Sequence, residues 1–259
     1  MNFLYINVLF STLHVASAIV QMFYLGKNTN ELVPWIDGYI LVSYSLALHC
    51  VSAFFHIFFC IFSRYIKQQH IEIKKQNPFR WLLSFITDPI YTFILLLLVG
   101  QTNFDILLLS AISSFSIAGL CHLQDESNNQ FTPSIFSLPL AITITSVAFK
   151  GIVSDQNTID PNLKNVVGVL TFTPFIKFII QYFFLQNKTQ HFVVIEHAID
   201  EEDKEQNVNE MNDELDITMK EASRVVKYEL IYYIYTFINI SILSWSCVYI
   251  TKMNMTFHR

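Results

Sequence analysis

Residues 229–251 read ELIYYIYTFINISILSWSCVYIT. From Leu230 to Thr251 there is no Asp, Glu, Lys or Arg. At 1.5 Å per residue, a helix of that length crosses a hydrocarbon core of about 30 Å. Working outward along the chain, six more stretches of the same kind appear. The spans are 3–25, 39–63, 81–103, 106–124, 131–150, 166–186 and 228–251. Two of them carry one internal charge each, Asp88 and Lys177. Of the 259 residues, 53% are hydrophobic and only 14% charged. A soluble domain places about 25% of its residues in charge, so this chain has too little polar surface to wet a globule. The expected fold is all-α, a single seven-transmembrane-helix bundle over 1–259. The triplet Ala16-Ser17-Ala18 resembles a leader cleavage site, but no basic residue precedes it and apolar sequence runs on to Leu25. The first span therefore reads as a helix.

The net charge of -5 hides a division. Residues 191–226 hold 11 of the 21 acids and 3 of the 16 bases, leaving the rest of the chain with 10 acids against 13 bases. The acidity belongs to one loop. Its first part, Asp200 to Glu205, is too charged to bury anything. Val208, Met211, Leu215, Met219, Ala222 and Val226 then recur at helical spacing, which reads as an amphipathic extension of the seventh helix.

Orientation follows from the bases. Arg64, Lys67, Lys74, Lys75, Arg80, Lys188, Lys204, Lys220, Arg224 and Lys227 share one side, whereas the other has Lys27, Lys150, Lys164, Lys252 and Arg259. The positive-inside rule puts the amino terminus in the cytoplasm and the carboxyl terminus outside the cell or in a lumen, an inverted topology for a seven-helix protein. Residues 191–226 would then be a cytoplasmic loop.

Several short patterns lie along these spans. Asn77-Pro78-Phe79-Arg80-Trp81 is followed by Thr87-Asp88-Pro89, a proline nine residues after an arginine. The last span holds Glu229, Tyr232, Thr236, Leu243 and Trp245, and the sixth ends in Gln181-Tyr182. Asn7 with His14, and Ser45 with His49, stand in the first two spans. Together these resemble the heliorhodopsin family of microbial rhodopsins, whose inverted topology matches the one reached from charge. The resemblance implies a rhodopsin-like bundle and a homodimer.

It also marks two losses. Counting from Glu229 and back from Trp245, the position of the family's retinal-binding lysine is Ile240, and the position of its carboxylate counterion, three residues after Arg80, is Leu83. Lys227 and Lys252 sit at the ends of the last span, roughly 18–20 Å from its middle. The two losses make sense together, because a carboxylate left without its cation in a low-dielectric core costs several kcal/mol. The expectation is a protein that holds no retinal by the usual bond and carries no cofactor.

Charges inside a span face a bundle interior or a watery cavity. Asp88 lies about 12 Å from the start of its helix and Lys177 about 16 Å from the opposite side, so both fall at similar depth. They read as a structural ion pair. The sharper reading makes Lys177 a relocated retinal amine with Asp88 as counterion, in a photoreceptor or light-driven ion carrier, with Trp245 in the same candidate pocket. His14, His49 and His56 read as interhelical hydrogen-bonding groups, with Ser45 or Ser52 as partners. Arg80 joins these structural polar residues.

No metal site is expected. Seven-helix ceramidase-like hydrolases also place a serine four residues before a histidine, as Ser45 and His49 stand here, but their zinc needs further histidines that the last span lacks. Zincin, nucleophile-elbow and phosphate-loop motifs are missing. Cys50, Cys60, Cys121 and Cys247 show no metal-type spacing and read as packing thiols. No inverted repeat suggests a transporter. The expected protein is non-enzymatic, relaying a signal, acting as a scaffold, or holding an apolar ligand non-covalently. Its expected partners are the bilayer, a second copy and a cytoplasmic protein on 191–226, with no nucleic acid.

Overall fold

The structure is a computed structural model that describes residues 3–25, 38–66, 79–126, 132–154, 161–177, 179–180 and 207–257. Gln181, Tyr182, the acidic run 200–205 and the basic residues Lys67, Lys74 and Lys75 lie outside these. So do the side chains of the stripe from Val208 to Ala222.

All regular structure among the described residues is helical: α1 Phe3–Leu25, α2 Gly38–Ile61, α3 Arg80–Leu98, α4 Phe104–Glu126, α5 Thr132–Ser154, α6 Pro161–Leu170 and α7 Asn207–Phe257. Six of these, all but α6, contain stretches long and apolar enough to cross a bilayer. The chain is a multi-pass membrane protein built as a helical bundle. Around α6 runs a shorter apolar segment, Asn165–Lys177.

The expected sixth span, 166–186, is not one unbroken helix. Helical structure stops at Leu170, turns at Thr171-Phe172 and resumes over 173–177. Pro174 is the cause, because it has no N–H to give the carbonyl of Leu170. Two carbonyls of this segment are held by side chains of neighbouring helices: the Thr145 hydroxyl donates to the Thr171 carbonyl at 3.0 Å, and the Tyr235 hydroxyl donates to the Thr173 carbonyl at 2.8 Å. In a membrane every such carbonyl must be satisfied from within.

The third and fourth helices are also cut differently from the expected 81–103 and 106–124. After Leu98 the backbone turns through Gly100 at φ 79, a left-handed conformation that glycine adopts without a Cβ penalty. Gly100 N–H bonds the Leu97 carbonyl and Gln101 N–H the Leu96 carbonyl, both at 3.0 Å, closing the helix in a Schellman motif. Asn103 then caps α4, its side-chain oxygen accepting from the N–H of Asp105 at 2.9 Å and of Ile106 at 3.3 Å.

α3 is the axis of the bundle. Of its apolar window 61% of the residues are buried, against 22% for α5, and every residue from Ile94 to Val99 is buried. A stretch apolar on all faces, as Ile94 to Val99 is, needs neighbours on all faces. One apolar cluster gathers Leu41, Leu48, Ile94–Val99, Ile240, Leu243, Cys247 and Ile250. A second, aromatic cluster holds Phe3, Phe10, Phe55, Phe59, Leu83, Tyr232 and Tyr233 at the other end. α7 packs on α1, α2, α3 and α6, so the last span is inside the bundle.

One close approach pins α5. A Cβ on Gly151 would lie 2.7 Å from Val99 Cγ2 and 2.8 Å from the Val99 carbonyl oxygen. The oxygen is backbone in the α3 terminus and cannot swing aside. Gly151→Ala is expected to destabilise the bundle by about 2 kcal/mol through overpacking, read as a lowered midpoint of unfolding in detergent.

Candidate functional site

Polar side chains line one face of α3. Arg80, Ser84, Thr87, Asp88, Tyr91 and Thr92 are spaced by 4, 3, 1, 3 and 1 residues, which keeps them on a common side. α7 answers with Tyr232, Tyr235, Thr236 and Asn239, and the broken sixth helix adds Thr173 and Lys177. Where these stripes meet, Lys177 Nζ donates to Asp88 Oδ1. Both side chains are only 16% exposed. Sequence spacing placed them at similar depth; the structure brings them into contact.

Tyr232 sits between two cations. Its ring lies 5.0 Å from the Arg80 guanidinium and 5.6 Å from Lys177 Nζ, distances at which the ring quadrupole attracts positive charge. Its hydroxyl is hydrogen-bonded to Ser84 Oγ. Arg80 also stacks on Trp81 at 4.5 Å. A guanidinium that is 2% exposed thus has aromatic faces to offset part of its desolvation.

Beyond the ion pair, hydroxyls are tied in series. Tyr91 is 3.1 Å from Thr173 Oγ1, which donates to Asn239 Oδ1 at 3.2 Å and so accepts from Tyr91. The Asn239 amide donates to the Tyr235 carbonyl at 2.7 Å, and Thr92 donates to Ser114 at 3.0 Å. Among them lies a cavity bounded by Asp88, Tyr91, Thr173, Lys177, Thr236 and Ile240. The centre of a water-sized sphere can occupy about 30 Å³ of it. A water needs about 10–15 Å³ on that measure, so two or three fit. The buried Thr236 hydroxyl has no protein partner among the described residues, and a water there would satisfy it.

A second polar chain joins α1, α2 and α7. His14 Nδ1 and His49 Nδ1 are 2.9 Å apart. If His49 donates from Nδ1, its Nε2 must accept, and the Ser17 hydroxyl stands 3.2 Å away to donate. The Gln21 amide donates to Ser17 at 3.3 Å, and Ser244 donates to Gln21 Oε1 at 2.9 Å. Toward the other end His56 Nδ1 donates to Asn7 Oδ1 at 2.8 Å, and the rings of His14 and His56 stack at 5.7 Å. From Asn7 to Gln21 this chain covers about 21 Å of α1.

The expected serine partners are corrected here. Ser45 Oγ turns back to the Val42 carbonyl at 2.8 Å, and Ser52 Oγ has no partner among the described residues. The reason is geometric: Ser45 lies one turn before His49 on the same helix, whereas both imidazoles face α1. Gln21, Ser17, Ser244, Thr173 and Asn239 escaped the sequence reading. The available signal was the recurrence of polar residues every three or four positions within spans.

Trp245 does not join the cavity. It is 38% exposed and meets Tyr24 edge-on at 5.8 Å. Leu83, 1% exposed, packs into the aromatic cluster, and Ile240, 2% exposed, closes the cavity wall. Among the described residues no group of three His, Cys, Asp or Glu side chains is arranged to hold a metal. The four cysteines are free thiols.

No family model, no curated protein and no solved structure matches this chain.

Proposed function

We propose that the chain is a seven-crossing, rhodopsin-like bundle of inverted topology, resembling heliorhodopsin, that works without a tethered retinal as a non-enzymatic signal relay or scaffold. The observation that carries this reading is the volume between α3, α4, the segment 173–177 and α7. Ligand pockets measure about 300–1,000 Å³, and the space bounded by Asp88, Lys177 and Ile240 is about 30 Å³. It suits waters, not a polyene. Side chains fill the place where the family holds its chromophore, with Ile240 and Leu83 at the lysine and counterion positions.

The chemistry of Lys177 supports the same reading. An amine attacks an aldehyde through its free lone pair, and Lys177 instead spends its N–H bonds on Asp88 beside the ring of Tyr232. On this reading the kinked segment through Thr171-Phe172 is the sixth crossing and brings the count to seven, and the positive-inside count sets the orientation. On that orientation residues 191–226, with 11 acids and 3 bases and running into the start of α7, face the cytoplasm and carry net negative charge toward a protein partner or a second copy.

The test is spectroscopic. All-trans retinal added to the purified protein is expected to leave only the absorption of free retinal. A red-shifted band that disappears in Lys177→Ala would overturn the proposal in favour of a photoreceptor or light-driven carrier using Lys177 and Asp88.

A further inference from the structure

α5 is the most lipid-exposed of the spanning helices, and it carries a single charge, Lys150. Lys150 lies four residues before the end of the helix at Ser154, about 6 Å along its axis. Gly151, next to it, touches Val99 at the close of α3. Lys150 therefore stands level with the polar turn 99–103, at the edge of the hydrocarbon, where a lysine reaches the headgroups.

Directly beside it is a groove of about 490 Å³, lined by Thr145, Ser146, Phe149, Lys150, Val153 and Phe172. The kink of the sixth helix makes it. Thr145 holds the Thr171 carbonyl, which draws the two helices together at that point, and the turn leaves Phe172 half exposed. From Val153 the groove runs about 12 Å toward Thr145. Its walls are mostly apolar, Lys150 stands one turn inside its outer end at Val153, and Ser146 adds an exposed hydroxyl one turn deeper than Lys150.

We infer that this groove is a binding site for one anionic phospholipid, its phosphate on Lys150 between Phe149 and Val153, its ester region beside Ser146 and its upper acyl chain against Phe172. Three observations select that occupant. The groove opens on the surface that faces the bilayer. Its volume lies within the range of small-molecule sites. The one charge lining it is positive and has no ion-pair partner among the described residues. A zwitterionic lipid would bring its own cation to Lys150 and lose that complementarity.

The experiment is native mass spectrometry of the full chain, released from detergent micelles doped with phosphatidylglycerol or with phosphatidylcholine of the same acyl chains. One phosphatidylglycerol is expected to be retained in preference to phosphatidylcholine. An exposed ion pair contributes up to about 1 kcal/mol, so Lys150→Gln should weaken retention by up to about fivefold and Lys150→Arg should keep it. Phe172→Ala should lower retention of both lipids. Lys150 is exposed, so Lys150→Gln is expected to unfold at the wild-type temperature. Equal retention of the two lipids, unchanged retention in Lys150→Gln, or equal binding of glycerol phosphate without acyl chains would each overturn the assignment.

Discussion

Asp88→Asn and Lys177→Met are each expected to destabilise the bundle by about 3–5 kcal/mol, the usual cost of stranding one member of a buried ion pair. The two charges touch each other at mid-helix and are 16% exposed, so a survivor would face only the small cavity and Tyr232, and neither supplies an opposite charge. The double variant Asp88→Leu/Lys177→Met is expected to regain most of the loss, because it removes both charges together. Reversible unfolding of the four proteins in mixed micelles measures the coupling. A double variant as unstable as the sum of the singles would show that the pair contributes no joint stabilisation.

His14 is expected to show the second large effect. Its ring stacks on His56, meets Phe237 edge-on at 5.0 Å and bonds His49, and it is 1% exposed. His14→Ala removes an aromatic-sized volume from a packed core, at a cost of about 3–5 kcal/mol by analogy with aromatic truncations. His14→Phe keeps the ring volume and loses the hydrogen bond, which within membranes contributes about 0.6–2 kcal/mol. The contrast decides what the imidazole chain is for. A small loss in His14→Phe beside a large one in His14→Ala makes the ring chiefly a packing element. Losses of equal size would make the hydrogen bond dominant. The same unfolding assay reads both.

Some of this site was legible in the chain, for reasons that differ residue by residue. Asp88 and Lys177 stood out because a charge inside an apolar run is expensive and needs a counterpart. Their depths, counted from helix ends, were enough to suggest each other. The histidines stood out by type, yet their partners did not: Ser45, near in sequence, bonds its own helix, and Gln21 and Ser244 come together across 223 positions. Trp245 shows the converse error. Its spacing along the span suggested the pocket, while the rotation of α7 leaves it half exposed and turned toward Tyr24. Spacing fixes which residues share a face, but not which neighbour that face meets.

The amino-acid sequence alone settles that the chain is a helical, multi-pass membrane protein, because the cost of exposing apolar side chains to water and peptide groups to lipid is local and additive along each span. It also settles that no amine stands at the middle of the last span, since that is a matter of residue identity. Tertiary structure alone decides that α3 is the axis, that the sixth helix breaks at Thr171-Phe172 and rejoins through Thr145 and Tyr235, and that the space beside Ile240 shrinks to a few waters. Those depend on how side chains from distant positions interlock. Packing is a property of neighbours, and the order of residues along the chain does not state who the neighbours are.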